Sequence, residues 1–255
     1  MLGYLCRKNE SATFLGGRQL DARLSPWGAL VNVIVFASRK GGSGKSTLSA
    51  HLAAQAHGPS RPVLLIDSDP QGSLTLWHKV RGSGEPPLRP ATEGTADLVK
   101  AARNSGYEWV FIDTPSSMSS AVTDAIHAAT LVLIPARLTL FDMVAIKETM
   151  DLCRKLGKPY AVVINGVPAR LDNAESPYLR EARQVLTQLN VPVWAGQITQ
   201  RTSYSLALAE GEGANEYDST SEAAAEVAAL WNAIEKSVKA IQGIYEGRPM
   251  HRVAA

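Results

Sequence analysis

The chain has 255 residues, 45% of them hydrophobic and 20% charged, with a formal net charge of +2. That length suits one large α/β domain, or else two small ones, and a core of this size needs no disulfides. The near-neutral charge excludes a global demand for nucleic acid, so any such contact must come from a local basic patch. Cys6 and Cys153 lie too far apart for a C-x-x-C pair, so the spacing supports neither a zinc site nor a redox motif. No run of 18 apolar residues predicts a membrane span. The short apolar start, Met1 to Leu5, is followed at once by Arg7 and Lys8, which is the wrong order for a signal peptide.

Residues 1–29 carry Gly16, Gly17, Pro26 and Gly28 without a clear period and read as an irregular extension. The first element is the apolar run Val31 to Ala37, of strand length and fit to be covered on both faces. A glycine-rich loop follows, and then a predicted helix from Ser46 to His57. Val63 to Ile66 is a second buried strand, ending in Asp67. Residues 82–92, rich in Gly and Pro, read as a surface loop. Thr95 to Asn104 is a helix. Trp109 to Ile112 is a strand ending in Asp113, and Leu131 to Ile134 another ending in Pro135. Met143, Ile146, Met150 and Cys153 share one helical face, closed by Gly157. The strand Ala161 to Ile164 ends in Asn165, and Glu175 to Leu189 is helical. The last helix carries Val227, Leu230, Trp231, Ile234, Val238, Ile241 and Tyr245 on its stripe, and residues 247–255 form a tail. Strands alternating with helices predict an α/β fold: a mostly parallel twisted sheet with helices on both faces, over residues 30–246. Ligands bind such sheets at the carboxyl ends of the strands, where the glycine loop, Asp67, Asp113 and Asn165 all fall.

In the loop, Gly41, Gly42 and Gly44 let the backbone turn tightly and aim N–H groups at phosphate oxygens. The following helix adds its positive N-terminus. Lys45 would carry charge to the β- and γ-phosphates, and Ser46 would give a hydroxyl to Mg²⁺. Ser43 and Thr47 complete the set of residues around the phosphates. The standard G-x-x-x-x-G-K-[ST] pattern wants glycine at position 39, where this chain has Arg39.

Instead, Lys40 stands directly before the double glycine. In this the chain resembles the ParA/MinD class of deviant Walker A ATPases and, with it, the P-loop NTPase fold. The resemblance covers about Val31 to Lys239. It implies ATP and Mg²⁺ as cofactors and a homodimer in the ATP-bound state, with Lys40 reaching the nucleotide held by the partner subunit. The segment Asp67-Ser-Asp-Pro-Gln-Gly-Ser73 continues the likeness. The residue matching Asp69 positions the attacking water, the one matching Asp67 lies near the metal, and Pro70 and Gln71 belong to the same switch. Phosphoryl transfer needs little beyond positioning and charge stabilisation, so a water-orienting acid would suffice for slow turnover. Trp109 to Asp113 forms a Walker B pattern in which Asp113 acts on Mg²⁺ through water. Thr114, Pro115 and Ser116 resemble the segment that senses the γ-phosphate. Pro135 to Asp142 is similar to the family's Pro-x(n)-Asp segment, and Asn165 matches a position that often meets adenine. Arg201 to Gly211 resembles the stretch before the last helix.

The compact length and the run from Asp69 to Trp77 look like the small ParA subgroup, which lacks an N-terminal helix-turn-helix. That likeness implies a cytoplasmic, nucleoid-associated ATPase that binds DNA non-specifically. It would partition or position DNA or another cargo with a ParB-like or cargo-adaptor protein that stimulates hydrolysis. DNA contact would rest on phosphates, with Arg170, Arg180, Arg183, Arg201, Lys236 and Lys239 as candidates. The alternative is a MinD-like membrane-associated positioning ATPase. Stable membrane binding is not expected, because the stripe at 227–245 continues the domain's last helix and the basic tail is broken by Pro249.

Overall fold

The computed structural model describes residues 31–245, except 118, 138–139, 170–174 and 189. The extension 1–29, the tail 247–255 and Arg170 therefore lie outside the described residues. The elements run β1 (Asn32–Phe36), α1 (Lys45–Ala56), β2 (Val63–Asp67), α2 (Ser73–Arg81), β3 (Leu88–Pro90), a 3₁₀ turn (Ala91–Glu93) and α3 (Thr95–Asn104). They continue through β4 (Trp109–Asp113), α4 (Ser120–Ala128), β5 (Leu131–Ala136), α5 (Leu140–Lys155), β6 (Tyr160–Val167) and α6 (Pro177–Gln188). The chain closes with β7 (Ile198–Thr199), α7 (Thr202–Ala209), α8 (Ala214–Tyr217) and α9 (Glu222–Tyr245).

Among the described residues the strands form one sheet in the order β3-β2-β4-β1-β5-β6-β7, with every strand pair parallel. The apolar runs are explained by the two layers of helices. Val33, Val35, Val110, Ile112, Val132 and Ile134 face α3–α6, where Leu98, Ile126, Ile146 and Cys153 wait. Ile34, Phe36, Phe111, Leu131 and Leu133 face α1 and α9, against Leu48, Leu52, Leu230 and Trp231. Alternate side chains point to opposite faces, so a strand covered twice must be apolar throughout. The stripe on α9 belongs to this core: Val227, Leu230, Trp231, Ile234 and Val238 are buried, and Trp231 meets Trp109 edge-on at 4.7 Å.

Residues 82–92 correct the expectation of a plain loop. Leu88, Arg89 and Pro90 pair with Leu65, Ile66 and Asp67 as an edge strand. Three residues without an apolar run carry no period to detect, and Pro90 is tolerated because an edge strand can forgo its N–H. β5 also runs on through Pro135 to Ala136. Pro135 lies beyond the last β1–β5 pair, Phe36 with Leu133, where the missing donor costs least.

The order of strands matters for the site. β1 is central, with β4 on one side and β5 on the other. From β1 the chain passes to β2 and the edge strand β3, returns to insert β4 beside β1, and then runs outward through β5, β6 and β7 on the other side, so the loop after β1 opens where the direction of winding changes.

Candidate active site

The loop between β1 and α1 has the backbone its glycines predict. Gly42 has φ 70° and Gly44 has φ 104°, the left-handed region that side chains avoid. Gly44 is doubly constrained: a Cβ there would lie 2.1 Å from Asn165 Nδ2. That amide donates to the Ser43 carbonyl at 2.6 Å, so the end of β6 holds the loop in place. Helix α1 has no side-chain cap and no acid in its first turn. Its N-terminal N–H groups and dipole are therefore open to an anion. Lys45 is buried, and that burial lowers its pKa against the pull of Asp113 and Asp69.

Asp67 and Asp113 end neighbouring strands and are register partners. Asp67 is satisfied within the protein. Its Oδ2 accepts from the Thr75 N–H at 2.8 Å and the Thr75 hydroxyl at 2.6 Å, and its Oδ1 from the Asp69 N–H at 3.1 Å. Asp113 is fully buried, and neither oxygen has a hydrogen-bonding partner of good geometry. Burial pushes its pKa up to about 7, against the nearby Ser46 hydroxyl, which lowers it. The Asp113 backbone does the structural work instead: its carbonyl accepts from the Ser68 N–H at 2.9 Å and the Ser68 hydroxyl at 2.7 Å. A buried carboxylate without partners, beside a serine hydroxyl at a helix N-terminus, fits a hard divalent cation. Among the described residues no group of three or more His, Cys, Asp or Glu could cage a metal. Such a cation would take its remaining ligands from water and phosphate, as Mg²⁺ commonly does.

Above these groups lies an open cleft of about 590 Å³. Its walls include Gly41, Gly42, Gly44, Lys45, Ser46, Thr47, Asp69, Gln71 and Asn165. Ser43, Asp67 and Asp113 are buried. Lys40 is half-buried at the start of the loop and does not line the cleft. Thr114 and Pro115 are buried too, with the Thr114 hydroxyl donating to the Phe36 carbonyl at 2.8 Å. Pro70 is exposed. Asp69 is half-buried and caps its own turn, accepting from the Gln71 N–H at 3.0 Å.

Residues 34–214 match the model of the CobQ/CobB/MinD/ParA nucleotide binding domain. The chain belongs to this family. It is 30% identical over 192 residues to the maintenance of carboxysome distribution protein A of Gloeobacter kilaueensis, covering 74% of this chain and 86% of that protein. It is also 30% identical over 188 residues to the protein ParA of Rhizobium radiobacter, with 68% and 80% covered. In fold it resembles the MinD cell division protein of Aquifex aeolicus, with a TM-score of 0.64 at 20% identity, covering 81% of this chain and 98% of that one. An ATP complex of a Cyanothece McdA variant gives 0.60 at 17% identity, with 86% and 98% covered.

As a member of the ParA/MinD family of ATPases, the chain has further groups on its cleft that the motifs did not pick out: Arg137, Gly166, Trp77 and Tyr204 among them. Arg137 falls inside the Pro135–Asp142 likeness, and Trp77 ends the Asp69–Trp77 one. Tyr204 is fixed by a 2.8 Å hydrogen bond to Glu226. The basic candidates are scattered. Arg183 pairs with Glu175 at 2.5 Å and donates to the Trp194 and Gly196 carbonyls at 2.8 and 2.6 Å. Arg201 pairs with Glu222 and Glu226 at 2.5 and 3.1 Å. Both guanidiniums are committed inside the fold. Arg180, Lys236 and Lys239 are exposed. Among the described residues, no helix is long and apolar enough to cross a membrane.

Proposed function

We propose that this chain is an ATP-driven dimerising switch, Mg²⁺-dependent and slow, that binds DNA without sequence preference. With a stimulating partner protein it would partition or position DNA or another cargo, in the cytoplasm and on the nucleoid. One observation carries the reading: a Lys40-Gly-Gly-Ser-Gly-Lys45-Ser46 loop stands over a buried carboxylate, Asp113, that has no hydrogen-bonding partner of good geometry among the described residues. The loop N–H groups, the α1 N-terminus and Lys45 hold the phosphates. Ser46 and Asp113 hold Mg²⁺. When bound, the cation offsets charge on the β- and γ-phosphoryl oxygens. Asp69, on the cleft wall, orients a water for in-line attack.

Lys40 points the reading to a dimer, because by resemblance it serves the nucleotide of the partner subunit. Its position off the cleft of its own chain is consistent with that role. DNA binding would fall to exposed cations such as Arg180, Lys236 and Lys239, since Arg183 and Arg201 are engaged. The relatives' names support cargo positioning: one is a chromosome-partitioning ATPase, Soj of Thermus thermophilus, and another is named for the maintenance of carboxysome distribution.

Sedimentation with non-specific DNA and with anionic liposomes, each with ATP or ADP, tests the reading. We expect pelleting with DNA and ATP only, loss of it with salt, and loss of both dimer and pelleting in Lys40→Ala. Asp69→Ala should trap the ATP dimer. Pelleting with liposomes alone would replace this reading by the membrane-positioning alternative. A Lys40→Ala protein that dimerises normally would sink the dimer mechanism.

A further inference from the structure

Among the described residues, two arginines line the cleft, Arg137 and Arg201. They are in opposite electrostatic states. Arg201 is held by two carboxylates, Glu222 and Glu226. Arg137 is exposed, and no carboxylate of the described residues pairs with it.

The sheet fixes where this free cation stands. Arg137 directly follows β5, the strand between β1 and β6. Ala136 pairs with Ile164, so the next residue, Arg137, comes level with Asn165. Asn165 in turn is hydrogen-bonded to Ser43 in the phosphate loop. Arg137 therefore lies between the loop and the strand end that closes the far side of the cleft. Its stem rests on the backbone of Gly166, which has φ 64°. A Cβ at Gly166 would lie 3.3 Å from Arg137 Nε and 3.7 Å from Cδ and Cγ. A glycine at this point lets the guanidinium lie along the cleft wall.

We propose that Arg137 is a nucleotide-binding residue whose guanidinium grips the α-phosphate of the bound adenine nucleotide. The proposal deepens, and rests on, the reading of the cleft as an ATP site. The charge balance favours it. Lys45 already shares the site with Asp69 and Asp113, and Mg²⁺ in the proposed site serves the β- and γ-phosphates, so the α-phosphate is left for another cation. An arginine with no carboxylate partner offers its fork to two phosphate oxygens at once, which a lysine cannot do. The α-phosphate is the group joining the polyphosphate to the nucleoside. It would lie midway between the loop at the end of β1 and Asn165 at the end of β6, which is where β5 delivers Arg137.

The test compares wild type, Lys45→Ala, Arg137→Ala and Arg137→Lys in equilibrium binding of fluorescent ATP, ADP, AMP and adenosine, all with Mg²⁺. Arg137→Ala should weaken ATP, ADP and AMP each by ten-fold or more and leave adenosine unchanged. Arg137→Lys should recover only part of the loss, and the melting temperatures should agree, since Arg137 is exposed. Affinities in Arg137→Ala within two-fold of wild type would overturn the assignment. A loss confined to ATP would overturn the α-phosphate contact. If wild type itself fails to bind ATP, the nucleotide reading falls first, and Arg137 with it. If wild type binds and Lys45→Ala does not, that reading stands, and the Arg137 variants judge Arg137 alone.

Discussion

The ends of β2 and β4 are built alike and satisfied differently. Both strands finish in a buried aspartate, and Asp67 and Asp113 sit side by side in register. Asp67 accepts three hydrogen bonds from its own chain. Asp113 accepts none of good geometry and holds its proton up to about pH 7. A buried polar group left without a partner costs free energy, and folds seldom keep one unless a ligand completes it. The difference teaches which carboxylate is already used by the fold and which still has lone pairs to offer. Asp67 ties the segment 67–75 together. Under the proposed function, Asp113 is left for the cation that accompanies a nucleotide.

The sharpest way to break this contrast is Asp113→Asn. Under the proposed function it should lower Mg²⁺-dependent ATP turnover by about 100-fold or more, because the amide cannot support a hard cation as a carboxylate does. In the nucleotide-free protein the same change should stabilise the fold at pH 8. The sign follows from the proton balance. The folded pKa of about 7 lies above the ordinary 3.8, so the folded state holds a proton that the unfolded state has released. Stability from this group is present below pH 3.8 and is lost as pH rises through 7, a loss on the order of a few kcal/mol. Asparagine has no such loss. His51 acts in the opposite direction: burial lowers its pKa to about 4 from 6.5, so its stability falls as pH drops through that range. It is common to both proteins and cancels in their difference. Chemical denaturation from pH 5 to 8 should show the variant's advantage growing with pH. A flat difference would mean that Asp113 is not desolvated as its burial implies.

Asp67→Asn should do the reverse. It should destabilise the protein by about 2 kcal/mol at neutral pH, because a charge-assisted acceptor becomes a weaker one. Its new NH₂ would also face an N–H donor, either of Asp69 or of Thr75. Removing the neighbouring charge that raises the Asp113 pKa should let Asp113 ionise at lower pH. Equal stability of wild type and Asp67→Asn would erase the distinction between the two strand ends.

What a reader of the sequence alone can see divides along the same line. Doubly covered strands announce themselves as apolar runs, and β1, β2, β4, β5 and β6 are visible for that reason. The phosphate loop is visible because Gly42, Gly44, Lys45 and Ser46 are local and have few other uses. Both aspartates are visible as strand ends, but not which of them is satisfied. That depends on Thr75, eight residues past Asp67, turning back to meet it. The edge strand β3 is hidden by its shortness. Arg183 and Arg201 read as surface cations because carbonyls at Trp194 and Gly196, and carboxylates on α9, are brought to them only by tertiary packing. Arg137 is hidden for the opposite reason: what distinguishes it is that no carboxylate of the described residues pairs with it, which no spacing in a sequence can display.

The finest version of the comparison is Thr75→Val. Helix α2 begins at Ser73 behind Gly72, which offers no side-chain cap, so its first N–H groups need an acceptor from elsewhere. Asp67 supplies it at the third helical position, and a carboxylate there also suits the helix dipole. Asp67 thus caps a helix from the strand before it. Valine keeps the shape of threonine and leaves the backbone N–H bond, but deletes the hydroxyl donor at 2.6 Å. The expected loss is about 1 kcal/mol, smaller than for Asp67→Asn because only one of three bonds goes and Thr75 is half-buried. Hydrogen exchange should show the first turn of α2 opening more readily, with the core strands unchanged. If the first turn of α2 kept its full protection, the Thr75 hydroxyl would add nothing to the cap, and the Thr75 N–H bond to Asp67 would carry it alone.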